Sequence, residues 1–202
     1  MATPARSAPP DPALSFRVAA AADAGTIHAL IEASLDEGHL LPRTLDDVRA
    51  HAPRFQVVED EGVVVACAEL APLSAAVAEV RSLVVSAAYR GRGLGPALVE
   101  RLRQRARVDG YATLCAFTHE PSHFVRLGFS IVPHVWFPEK VAIDCTACPK
   151  FRQCGQHAMA LPLDGVSLAA PHGSHTRLPI TLARRGLPAA LPRGAARLKV
   201  IA

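Results

Sequence analysis

The chain has 202 residues, half of them hydrophobic and a fifth charged, with a net charge of +4 and a pI near 9.0. That is enough chain for one ordinary domain core plus a tail, in a globular composition. No apolar run approaches the ~20 residues that span a bilayer, which excludes a membrane span. The basic residues do not interleave with aromatics, so nucleic acid is a weak choice of partner and an anionic small molecule a better one.

Met1 to Pro12 carries Pro, Ser and Ala without an apolar signal-peptide core. Residues 1–14 are therefore expected to be a disordered arm, and the cytoplasm is the expected compartment. Phe16 to Ala19 reads as a strand, and Asp23 opens a helical pattern with Ile27, Leu30 and Ile31 on one face. Thr44 caps a second helix, with Asp47 in the capping-box position. Phe55–Val58 and Val63–Leu70 are strand runs around the hairpin turn Glu59-Asp60-Glu61-Gly62.

Glu79–Val85 reads as a further strand, entering a Gly/Arg loop over Tyr89–Gly95. A helix follows to about Asp109, with Leu94, Ala97, Leu98, Leu102 and Ala106 at core spacing. Tyr111–Thr118 is a strand, Pro121–Leu127 a short helix, Phe129–Val132 a strand and Ala158–Leu163 the last strand. Beyond Asp164 the pattern gives way to Pro, Gly, Ala and Arg, so 165–202 is expected to be a disordered tail and 15–164 the folded domain. Hairpins first and strand-helix-strand later imply an α/β (α+β) sandwich around one mixed, mainly antiparallel sheet flanked by helices.

The most informative stretch is Arg90-Gly91-Arg92-Gly93-Leu94-Gly95, between a strand and a helix. Glycines let the backbone turn its N–H groups outward, and the helix N-terminus adds unsatisfied donors and partial positive charge. This is a cradle for a pyrophosphate. No Gly-Lys-Ser/Thr follows, so it is not a Walker loop, and its glycine spacing is wrong for a dinucleotide fold. Pro96 removes one amide from the first helical turn, leaving those of about Gly91 to Gly95 for the cradle.

The spacing Arg-x-x-Gly-x-Gly resembles the coenzyme A pyrophosphate loop of the GNAT acetyltransferases. Arg17-Val18-Ala19 with Asp23 is similar to their opening, and Phe124-Val125-Arg126-Leu127-Gly128-Phe129 to their late helix-to-strand signature. The resemblance covers roughly residues 16–163. It implies a GNAT-type fold, acetyl-coenzyme A as cosubstrate, and contacts to it from Val84, Val85, Arg90, Gly91, Arg92, Gly93, Leu94 and Gly95. It also implies an acid on the strand before the loop as general base, here Glu79. His119 and Glu120 follow a strand whose end should face the same cleft, and His119 is a second proton-accepting candidate. Where many relatives carry a tyrosine as general acid, this chain has Phe124, which supplies no proton; water, His123 or another group must serve, or the thiolate leaves unassisted.

Leu40-Leu41-Pro42-Arg43-Thr44-Leu45, Glu79-Val80-Arg81-Ser82-Leu83 and Pro138-Glu139-Lys140-Val141 are similar to stretches of the short bacterial N-acetylglutamate synthases. So are Asp144-Cys145 and Cys148-Pro149-Lys150-Phe151. That resemblance implies glutamate as acceptor, in arginine synthesis. A substrate with two carboxylates needs cations at both ends, and Arg43, Arg81 and Lys140 are the candidates. The partners expected are small molecules, with a homodimer left open.

Cys67 and Cys115 lie in apolar runs and read as core residues. Cys145, Cys148, Cys154 and His157 have spacings that a tetrahedral Zn site could use. The segment is compressed relative to a zinc ribbon, so a structural or redox-sensitive thiol cluster is the favoured reading and no metal is expected. Two rivals to glutamate acetylation stay open: a GNAT acting on another amine (amino acid, polyamine or protein N-terminus), and a non-catalytic acyl-coenzyme A-binding or metal-responsive module.

Overall fold

A computed structural model describes residues 14–37 and 40–163. The arm expected over 1–14 and the tail expected over 165–202 lie outside the described residues, apart from Leu14, which opens the first strand. The strands are β1 (Leu14–Val18), β2 (Phe55–Asp60), β3 (Val63–Pro72), β4 (Val77–Val85), β5 (Thr113–Thr118), β6 (Ser130–Val132) and β7 (His157–Pro162). The helices are α1 (Ala24–Glu32), α2 (Leu45–Ala50), α3 (Leu94–Val108) and α4 (Pro121–Arg126). Among the described residues the strands form one sheet in the order β1-β2-β3-β4-β5-β7-β6, antiparallel except at β4–β5. This is the mixed, mainly antiparallel α/β sheet that the order of elements implied.

Local chemistry sets the boundaries. Arg17 pairs with Asp23 at 2.6 Å and with Glu59 at 2.6 Å, while Asp23 also accepts from the Ala20 N–H. One arginine thus ties β1 both to its neighbour β2 and to the start of α1. Thr44 caps α2 by accepting from the Asp47 N–H at 3.1 Å. The first hairpin is tighter than the sequence suggested. Strand β2 runs on to Asp60, and Glu61 and Gly62 alone turn the chain, both at positive φ, as a two-residue hairpin requires. Strand β4 begins two residues before Glu79, not at it.

The sheet is buried on both faces. Ile27, Ile31, Val48, Val57 and Cys67 form the core with α1 and α2. Leu94, Leu98, Leu102, Leu114, Phe124 and Phe129 form the core on the side of α3 and α4. Strand β4 pairs in parallel with β5 only from Val77–Val80 against Thr113–Ala116, whereas β5 stays paired with β7 through Thr118. Beyond Val80 the two strands part, and the functional cleft opens in that gap. Strand β4 also carries an irregularity against β3. Cys67 faces Val84 but Glu69 faces Arg81, so β4 holds one extra residue there, and Ser82 sits at φ 50°.

Candidate active site

A cleft of about 1570 Å³ runs along β4, from Glu79 at one end to Val85 and the Gly/Arg loop at the other. At the loop end it is lined by Val84, Val85, Arg90, Gly91, Gly93, Leu94 and Gly95. Gly93 is the N-cap of α3 at φ 78°, and Gly91 has the same φ. Among the described residues, no atom beyond the adjoining chain lies within 4 Å of where a Cβ would sit at either position, so the backbone conformation, not crowding by neighbours, calls for glycine. The start of α3, where a helix leaves its first N–H groups without intrahelical partners, therefore lines the cleft, as an anion site needs. Arg90 pairs with Glu37 at 2.5 Å and donates to the Val85 carbonyl. Arg92 is not among the lining residues: its guanidinium stacks over the Tyr89 ring at 4.9 Å.

The other end is dense with charge. Glu79, only 3% exposed, accepts from Lys140 Nζ at both carboxylate oxygens, at 2.8 and 2.9 Å, and from Arg81 at 2.6 Å. Arg81 and Lys140 both reach Asp144, at 2.6 and 2.9 Å. Lys140 also lies 5.0 Å from the centre of the Phe117 ring. Burial alone would raise the Asp144 pKa, but Lys140 and Arg81 outweigh it and hold the carboxyl below its usual value.

Beside this group stands a second one. Arg43 pairs with Asp47, with Glu69 at 2.7 Å, and donates to Ser82 Oγ at 3.2 Å. Burial works against the Arg43 charge, yet Glu69 and Asp47 more than compensate and raise its pKa. His28 Nε2 meets the Arg43 carbonyl at 2.9 Å and fixes the loop ahead of α2. Arg54 stands 3.9 Å from the other Glu69 oxygen.

The structure thus brings Arg43, Glu79, Arg81 and Lys140 into one cleft with the glycine loop. It also pairs each expected cation with a carboxylate of the protein itself. Glu69, Asp47, Asp144, Arg54, Ser82 and His134 line the cleft without having been assigned a site role. A signal for Glu69 was present, because it is the one charge in the apolar strand Val63–Pro72.

Thr118 and Glu120 line the cleft, and the His119 ring, not itself among the lining residues, lies 3.5 Å from where a Cβ on Gly155 would be. Phe124 is buried and packs edge-on against Phe129 and His123, as an apolar core residue does. The His123 ring lines the cleft next to Gly95, and burial followed by the Arg126 charge lowers its pKa.

Cys145, Cys148 and Cys154 all line the rim of the cleft as free thiols, whereas His157 opens β7 opposite Thr118. Among the described residues, no group of three or more His, Cys, Asp or Glu is placed to hold a metal ion. Cys67 and Cys115 are core residues, and burial pushes the Cys67 thiol up to about 12. No helix among the described residues is long and apolar enough to cross a membrane.

Sequence and structure comparisons agree with this geometry. Residues 24–129 match the model of the acetyltransferase (GNAT) family. The chain belongs to that family and is an acetyl-coenzyme A-dependent N-acetyltransferase. Within the family it is of the short, N-acetylglutamate synthase-like kind. It is 33% identical to the uncharacterized N-acetyltransferase CT2212 of Chlorobaculum tepidum, over 73% of this chain and 95% of that one. It is 36% identical to an amino-acid acetyltransferase of Pseudomonas putida over 54% of this chain, a stretch that spans only 26% of the longer relative. Among solved structures it resembles N-acetylglutamate synthase from Neisseria gonorrhoeae complexed with coenzyme A and N-acetyl-glutamate. That match has a TM-score of 0.67 at 26% identity, covering 74% of this chain and 35% of the other. It is similar to Rv2747 from Mycobacterium tuberculosis in complex with CoA and NLQ, with a TM-score of 0.66 at 26% identity, over 74% of this chain and 99% of that one.

Proposed function

We propose that the chain transfers acetyl from acetyl-coenzyme A directly to the α-amine of L-glutamate, in the cytoplasm and in the service of arginine synthesis. The observation that carries this reading is the mixed charge at the acceptor end of the cleft. A zwitterionic amino acid needs cations for its carboxylates and an acid for its ammonium. Arg43, Arg81 and Lys140 stand there beside Glu79 and Asp144. A polyamine would be served by the acids and repelled by the three cations. The chain's similarity to N-acetylglutamate synthase structures supports the same substrate.

In this reading the pyrophosphate of acetyl-coenzyme A lies on the amides of Gly91 to Gly95, with Arg90 released from Glu37 to meet it. The thioester then lies along β4, near Val84 and Val85. The substrate carboxylates exchange places with the protein's own, drawing Lys140 and Arg81 away from Glu79. Glu79, relieved of both cations, takes a proton from the substrate ammonium, directly or through water. The amine attacks the thioester carbonyl, the C–S bond breaks, and coenzyme A leaves as thiolate or thiol. Phe124 gives no proton to that sulfur. Direct transfer of this kind needs no cysteine nucleophile.

The test is a coenzyme A-release assay across the twenty amino acids, with glutamine as the isosteric control. Glutamate should exceed glutamine by at least about tenfold in kcat/KM, the effect of ~1.4 kcal/mol. Equal rates with the two would leave an N-acetyltransferase but overturn glutamate as its acceptor. Arg43→Lys and Arg81→Lys assign the two ends: the residue serving the side-chain carboxylate matters less for glutamine, and the one serving the α-carboxylate matters equally for both.

A further inference from the structure

The segment between β6 and β7 bears three thiols that acetyl transfer does not use. After Lys140 the chain makes a π-helical turn over Val141–Cys145, closed by the Thr146 N–H to the Val141 carbonyl at 3.2 Å. A tight turn follows at once, in which the Cys148 N–H donates to the Cys145 carbonyl at 3.1 Å. Four residues closed in this way hold their end Cα atoms within about 7 Å, and a disulfide needs roughly 4.4–6.8 Å. Cys145, Cys148 and the exposed Cys154 all face the cleft, and all three are free thiols. Asp144, next to Cys145, holds both Arg81 and Lys140. The turn that joins the two thiols is therefore one residue from the acceptor site.

We propose that Cys145 and Cys148 form a thiol–disulfide exchange site at the rim of the cleft, which takes low-molecular-weight disulfides and reports them to the acceptor end through Asp144. The Cys148 thiolate attacks one sulfur of the small disulfide, forming a mixed disulfide and releasing one small thiol. The Cys145 thiolate then attacks the Cys148 sulfur, forming the intrachain bond and releasing the second small thiol. In sum, two protein thiols are oxidised to one disulfide while one small disulfide is reduced to two thiols, with the two protons passing to the products. Cys145 suits the second step. Burial pushes its thiol up, with Cys154, Asp144 and Cys148 adding to the shift and Lys140 opposing it, so it attacks only a sulfur held beside it. Closing the bond draws the end of the π-helical turn toward Cys148 and shifts Asp144 against Arg81 and Lys140.

The experiment incubates the full chain with glutathione disulfide and, in a second arm, with the disulfide of coenzyme A, the thiol this enzyme itself releases. Intact mass is read first. A product about 2 Da lighter, with Cys145 and Cys148 joined in one peptide, is expected in the unmodified chain and in Cys154→Ser, and is expected to be lost in Cys148→Ser and Cys145→Ser. Kinetics follow, with whichever amino acid the reduced enzyme acetylates best, so this outcome does not depend on glutamate being the acceptor. The acceptor KM should rise at least about threefold on oxidation, acetyl-coenzyme A affinity should stay within about twofold, and dithiothreitol should reverse the change. A stable adduct carrying the small thiol in place of the intrachain bond would overturn the proposal. So would a cross-link that survives in Cys148→Ser, or oxidised protein with unaltered acceptor kinetics.

Discussion

Replacing Arg43 with alanine should harm the fold before it harms the chemistry. Glu69 is 1% exposed, and Arg43 is its close partner at 2.7 Å. Without that guanidinium, Glu69 keeps Arg54 at 3.9 Å and no closer cation among the described residues. Breaking a buried pair by removing one partner costs about 3–5 kcal/mol, because the remaining charge is left without compensation. At roughly 2–4 °C per kcal/mol for a domain of this size, Arg43→Ala should lower Tm by about 6–20 °C. Adding Glu69→Gln removes the stranded charge and should restore more than half of the loss. Thermal unfolding of the two variants by calorimetry, at one pH and salt concentration, decides the matter. An Arg43→Ala protein melting within about 2 °C of the unmodified chain would refute the argument that this pair is structurally coupled. The same pairing is why the substrate test uses Arg43→Lys, which keeps a positive charge near Glu69.

Three further outcomes are expected. Gly93→Ala must hold a Cβ residue at φ 78°, which costs about 1–2 kcal/mol and should weaken coenzyme A binding by calorimetry and lower Tm; Gly95→Ala, whose Cβ would make ordinary 3.8 Å contact with His123, should leave Tm nearly unchanged. Glu79→Gln should lower turnover by about 10²–10⁴-fold in a pre-steady-state assay, while acetyl-coenzyme A affinity stays put, since Glu79 lies at the far end of β4 from the loop. Lys140 and Arg81 depress the folded-state pKa of Asp144, so its contribution to stability is present above the unfolded carboxyl value and is lost as pH falls through the folded one. Acid unfolding curves of Asp144→Asn should accordingly run closer to flat below about pH 4 than those of the unmodified chain.

What the sequence made legible was local. The Thr44 cap and its Asp47 N–H lie three residues apart, and the core face of α3 repeats within one helix, so each could be read from a short window. The glycine loop was legible for the same reason: its conformation is written in Gly91 and Gly93 themselves. The pairing of the cations was not. Arg43 meets Glu69 across 26 residues and Arg81 meets Asp144 across 63, and no window contains both partners. Glu69, a lone charge in an apolar strand, signalled a buried partner without saying which, and the extra residue in β4 gave no signal in a run of ordinary strand formers.

Strand β4 has a geometric consequence of its own. The charged end of the cleft and the end at the glycine loop are borne by one uninterrupted stretch of chain, Glu79 to Ser82 for the first and Val84 to Val85 for the second. The strand is a ruler: at about 3.3 Å per residue, covalent bonds alone fix how far Glu79 stands from Val85. The extra residue at Ser82 sets both the length and the phase of that ruler. Removing it would slide one end past the other by about one such step and turn every side chain beyond it to the opposite face.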